Sequence, residues 1–194
     1  MTEELNNYSN LVNEKAQNRE NFLILNDGVA HNAIIMTGMF NNAKEICMFC
    51  GEGSIFRDDF GDKVKEENAQ DSDIINALHK AIKEFIGNIN NSLKVIVENN
   101  ASFKENISKN LRESLQGSNV KFYLLDNKIA PEYHFSIGDN CMYRREIGRR
   151  EHKAFVNFND EDIVKLFKEQ FSMLTFFSGS FNIEKEEKSD YVSK

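Results

Sequence analysis

Three short apolar runs decide the class of fold open to this chain. Glu45 to Gly51, Leu93 to Val97 and Val120 to Leu125 are of strand length, and none keeps a strict apolar–polar alternation. A strand loses that alternation when both of its faces are covered, as in sheets flanked by helices. The segments around these runs repeat apolar residues at helical spacing. Val29 to Lys44 carries Ile34, Ile35, Met39 and Phe40, and Ser102 to Leu115 carries Phe103, Ile107, Leu111 and Leu115. Between them, Asp71-Ser72 caps a segment that aligns Ile74, Ile75, Leu78, Ala81, Ile82, Phe85 and Ile86 on one face. The order α, β, α, β, α, β predicts an α/β domain with a mixed sheet flanked by helices.

The C-terminal third reads differently. Tyr133 to Gly138 is extended, Asp139-Asn140 is a two-residue turn, and Cys141 to Ile147 returns antiparallel. Lys153 to Phe158 gives a third extended stretch, and Asn159 caps a helix with an acidic first turn, Asp160-Glu161-Asp162. With that turn, 138 faces 141, 136 faces 143 and 134 faces 145. His134, Ser136, Tyr143 and Arg145 then share one face, and Phe135, Ile137, Met142 and Arg144 share the other. A histidine beside an arginine and a tyrosine attracts an oxyanion such as phosphate. The last helix carries a wide apolar stripe of Ile163, Leu166, Phe167, Phe171, Leu174 and Phe177, for the core or for a partner.

Composition narrows the function classes. The 194 residues form one core without staples, and 40% hydrophobic content argues against a disordered chain. A net charge of −7 argues against non-specific binding of nucleic acid or anionic lipid by the whole surface. It leaves a local basic segment from Arg144 to Arg150, read either as an anion-binding patch or as a charged edge strand guarded against aggregation. No window has the length of an uncharged membrane span. The odd count of three cysteines fits a reducing, cytoplasmic setting, and the Asn, Lys and Glu content suggests a bacterial source. Cys47 and Cys50 point to opposite faces of one strand, so neither a metal nor another cofactor is expected. Gly51-Glu52-Gly53-Ser54 lacks a complete phosphate-loop pattern; Glu52 and Ser54 are candidates for a pocket rim.

A strand opening on His134, a turn, a return strand, and Phe155-Val156-Asn157-Phe158 before a last helix resembles the phospholipase D-like fold. The family signature is H-x-K-x-x-x-x-D followed by G-S-x-N, with a histidine that attacks phosphorus and a lysine and asparagine that hold its oxygens. The resemblance puts the histidine at His134 and the asparagine at Asn157. The lysine position holds Ser136, Ala154 and Phe155 replace the Gly-Ser pair, and Asp139 comes two residues early. An extra Gly148 to His152 separates the two motif halves. The chain has length for half of the two-motif enzyme, so a complete site implies a homodimer.

Three function classes follow. The first is a catalytically degenerate module for anion binding or assembly, with His134, Ser136, Tyr143, Arg145 and Asn157 at the site. The second is a homodimeric phosphodiesterase using His134 from each chain. The third is a structural partner subunit contacting another protein through its last helix. The expected organisation is an arm or helix over residues 1–28, the α/β domain over 29–180 and a charged tail over 181–194.

Overall fold

The computed structural model describes residues 2–60, 62, 72–98, 100–126, 128–148 and 153–183. Its elements are helix α1 (Glu3–Asn18), strand β1 (Ile24–Asp27), α2 (Val29–Asn42), β2 (Glu45–Phe49), α3 (Ser72–Gly87) and β3 (Ser92–Val97). Then come α4 (Asn100–Asn106), α5 (Lys109–Arg112), β4 (Val120–Leu124), β5 (Phe135–Gly138), β6 (Met142–Glu146), β7 (Lys153–Asn157), α6 (Glu161–Phe176) and β8 (Gly179–Phe181). All strands join one mixed sheet in the order β1-β7-β6-β5-β2-β3-β4-β8. The three apolar runs are β2, β3 and β4, and they pair in parallel. The strands on either side of them add antiparallel.

Following the register across the sheet separates its faces. One cross-strand row runs Ile24, Val156, Arg144, Ser136, Met48, Val95, Phe122 and Phe181. Its apolar members pack with residues of α1, α2 and α3, including Val12, Ile35, Met39, Leu78 and Ile82. The neighbouring row includes Phe155, Arg145, Phe135, Phe49 and Ile96 and looks the other way, toward α6. There Phe135 stacks on Phe167 with ring centroids 5.1 Å apart. Cys47 and Cys50 divide between these two sides, as an odd separation requires, and both are free thiols.

The hairpin departs from the two-residue reading. Gly138 pairs with Met142 and Ser136 with Arg144, so the loop has three residues, Asp139, Asn140 and Cys141. Asp139 is in the left-handed region at φ 52°. Its carboxylate accepts from the backbone N–H of Lys44 at 2.7 Å and of Glu45 at 3.0 Å, and from Arg19 at 2.6 Å. The turn is thus clamped onto the start of β2. The extra residue moves β6 by one position, which exchanges its faces. Asp139→Ala is expected to lose about 2–4 kcal/mol, from charge-assisted hydrogen bonds and a left-handed backbone without a polar side chain. Urea denaturation measures it, and a loss under ~1 kcal/mol contradicts the clamp.

Helix α6 starts one residue later than expected: Asp160, not Asn159, is the N-cap and accepts from Ile163 N–H at 3.1 Å. Val164, Phe167, Phe171 and Leu174 are buried, whereas Leu166, Met173, Phe176 and Phe177 are exposed. The stripe therefore divides between core and surface. No helix among the described residues is long and apolar enough to cross a membrane.

A candidate anion site under helix α2

Because β6 is displaced by one residue, the face shared with His134 and Ser136 carries Arg144 and Glu146. Tyr143 and Arg145 are on the opposite face. There Tyr143 packs against Phe167, its burial pushing the phenol upward, and the Arg145 guanidinium lies 4.4 Å from the centre of the Tyr133 ring. Asn157 pairs with Tyr143 across the strands; its amide donates to Asn21 at 2.8 Å and its oxygen accepts from Asn159 N–H at 2.9 Å. Of the five expected ligand residues, His134 and Ser136 meet in one pocket, and Tyr143, Arg145 and Asn157 lie outside it. Within the basic segment, Arg149 and Arg150 lie outside the described residues.

The pocket has a volume of about 150 Å³ and lies between the sheet, α2 and the loop that follows β2. Its polar lining comprises Asn32, Glu52, Ser54, His134, Ser136, Arg144 and Glu146, beside Met36 and Met48. Glu146 links the group: Oε2 is 2.8 Å from Nδ1 of His134, and Oε1 accepts from Nη2 of Arg144 at 3.1 Å. Burial alone would raise the Glu146 pKa, but the His134 contact and the Arg144 charge outweigh it and hold the carboxyl below its ordinary range. Burial opposes the Arg144 charge, and Glu146 offsets part of that cost. Tyr8 of α1 lies close enough for the Arg144 charge to act on its phenol.

Three buried polar atoms in this lining have no hydrogen-bond partner among the described residues: Oδ1 of Asn32, Nε2 of His134 and Nε of Arg144. Buried polar groups are satisfied in the large majority of cases, and a water or a polar ligand in the cavity would satisfy these. Arg144 is 4% exposed and carries the fixed positive charge of the site.

Gly51 lies close beside the histidine ring. At φ +55° it lies so near the ring that an added Cβ would be 2.5 Å from Nε2 of His134. Gly51→Ala is expected to cost about 1–2 kcal/mol through the backbone alone and to displace the ring or the loop. A chemical-shift change at His134 with reduced stability checks this; an unchanged protein contradicts the close approach. Acid stability gives a second check. A carboxyl with a lowered folded pKa contributes stability that is present above the unfolded value, about 4.3, and is lost as pH falls through the folded pKa. Glu146→Gln is therefore expected to flatten the acid limb of the stability–pH curve, and an unchanged limb contradicts the pairing.

Sequence reasoning placed the histidine and serine but not Asn32, Arg144 or Glu146. The alternating Arg144-x-Glu146 spacing, read with a three-residue loop, is the signal that would have found two of them. Asn32 stands out as a buried polar residue on the apolar helix α2.

No family model matches the chain, and no curated protein sequence matches it. Among solved structures it is similar to a phospholipase D family member, Nuc from Salmonella typhimurium, at 14% identity and a TM-score of 0.55, covering 84% of this chain and 99% of that one. It is also similar to TrmBL2, an archaeal chromatin protein described as showing a novel mode of DNA binding, at 14% identity and a TM-score of 0.50. That match covers 88% of this chain but 59% of TrmBL2, so the chain spans about three fifths of that protein. The eight-stranded mixed sheet flanked by helices thus has the phospholipase D-like fold.

Proposed function

We propose that this chain is a phospholipase D-like domain whose catalytic motif has degenerated and whose pocket under α2 binds a small oxyanion. The observation that carries this reading is the buried Arg144, whose Nε lacks a partner in the same pocket as Nε2 of His134. A guanidinium removed from water and left with an open donor is costly unless an acceptor completes it. Ser136 adds a hydroxyl where the family signature has a lysine, and a serine positions an oxyanion without supplying charge.

The second reading, a phosphodiesterase formed by two chains that each contribute His134, draws on the Nδ1 contact to Glu146, which orients an imidazole for nucleophilic work. The covered Nε2 and the serine at 136 weigh against it, and binding survives both changes better than catalysis does. A protein-partner role draws on the exposed Leu166, Met173, Phe176 and Phe177 of α6. In that role the chain self-associates or meets a second protein, and sedimentation decides between them. A nucleic-acid partner draws least support, since Arg144 is buried and Arg145 is stacked on Tyr133.

Asn32→Leu tests the binding reading. It replaces an orphaned acceptor at 9% exposure with an apolar group that fills the pocket. The variant is expected to be as stable as wild type or up to ~2 kcal/mol more stable, because the unsatisfied group is gone. It is also expected to lose the thermal stabilisation that acetate or phosphate gives wild type. No stabilisation of wild type by either anion contradicts the reading.

A further inference from the structure

We infer that the oxyanion held under α2 is the head of a small organic acid whose short hydrocarbon chain lies against Met36, Met48 and Ile55. This rests on the oxyanion-binding reading and adds what the anionic group is attached to. The floor of the pocket carries it. Ser136 pairs with Arg144 on one side and with Met48 on the other, so the row facing α2 passes from guanidinium through hydroxyl to thioether across three adjacent strands. Neighbouring strands are about 4.8 Å apart, which separates the two ends of that floor by roughly 10 Å. The helix wall repeats the contrast: Asn32 and Met36 both line the pocket and lie one turn apart on the same face of α2. Ile55, in the turn after β2, adds a third apolar side chain.

Acidic side chains also stand at the site. Glu146 and Glu52 are in the lining, the latter paired with Arg57, and Glu98 approaches beside Gly51. Size and the apolar wall, not a sum of charges, therefore select among anions. An inorganic oxyanion seated at Arg144 and Ser136 leaves the methionine end unfilled. A chain of two or three carbons covers that end and removes apolar surface of both partners from water. Thioether side chains adapt to such a chain, since methionine has three rotatable bonds and a polarisable sulfur. The volume sets the upper limit: a cavity of about 150 Å³ takes about six non-hydrogen atoms, the size of benzene. Butyrate matches that size, acetate underfills it and octanoate exceeds it.

The test measures dissociation constants of acetate, butyrate, octanoate and inorganic phosphate for the full chain at one pH and ionic strength. Ring resonances of His134 report occupancy, and Asn32→Leu, which fills the pocket, abolishes the response. Each methylene buried against the wall tightens binding about fourfold, so butyrate binds roughly tenfold more tightly than acetate. Butyrate also binds more tightly than phosphate and than octanoate. Met36→Ala enlarges the apolar end and shifts the optimum from butyrate to hexanoate; if that variant does not fold, the chain-length series on wild type decides alone. Equal affinity for acetate and butyrate, or octanoate binding more tightly than butyrate, overturns the inference while the oxyanion-binding reading stands. Failure of every acid and of phosphate to bind removes both.

Discussion

Arg144→Met is expected to lower stability by about 3–5 kcal/mol, because it leaves the buried Glu146 carboxylate without its guanidinium partner. Arg144 is 4% exposed and Glu146 9%, so water cannot take over the lost contact without opening the sheet. The double variant Arg144→Met, Glu146→Gln is expected to recover much of the loss, since removing both charges of a buried pair leaves no uncompensated ion. Denaturant melts of the four proteins measure the coupling energy between the two sites. Additive effects contradict the pairing seen at 3.1 Å. The strand itself has no other need of an arginine there: its row neighbours are Val156 and Ser136, and an apolar residue at this position suits the α2 face better. The proposed oxyanion would give this buried guanidinium a partner that the strand alone does not supply.

Turnover of a nitrophenyl phosphodiester is expected not to exceed the uncatalysed rate. A group aimed at developing negative charge is typically worth ~3–4 kcal/mol, or 10²–10³ in rate, and Ser136 carries no charge to supply it. Arg144 does not replace it freely, because part of its guanidinium is held by Glu146. The second obstacle is geometric. A nucleophilic imidazole needs room at Nε2 for in-line approach to a phosphodiester, and that atom is buried with Gly51 close beside it. The two effects act on different terms of the barrier and compound. Stopped or continuous assays with the nitrophenyl diester and with single-stranded DNA check this; turnover that disappears in His134→Ala contradicts it.

The central strands were legible because β2 and β3 are largely buried on both faces and show it as apolar runs without strict alternation, while β4, with Lys121 exposed, is covered less evenly. Strand β1 was read as part of an arm, since the apolar run at Phe22 to Leu25 has no local partner. Its register is set by β7, more than a hundred residues away: Ile24 faces Val156. Strand β8 is three residues long and exists only against β4, so no local pattern announces it.

The candidate site was half legible for a related reason. His134 and Ser136 were identified from their own strand, but their neighbours depended on the hairpin register. That register is settled by Asp139 accepting two backbone N–H groups at the start of β2, a contact between residues more than ninety positions apart. One residue in the loop exchanged Tyr143 and Arg145 for Arg144 and Glu146. Asn157 followed the family motif by position, yet its side chain is occupied by Asn21 and Asn159.

The central claim is that an oxyanion enters the pocket bounded by His134, Arg144 and Asn32, and the ring resonance of His134 tests it most directly. With four histidines in the chain, His134→Gln identifies the signal. Addition of acetate at neutral pH is expected to move that signal along a saturable curve in wild type and to leave it in place in Asn32→Leu. A His134 signal that stays unmoved in wild type up to anion concentrations that merely screen surface charge contradicts the claim.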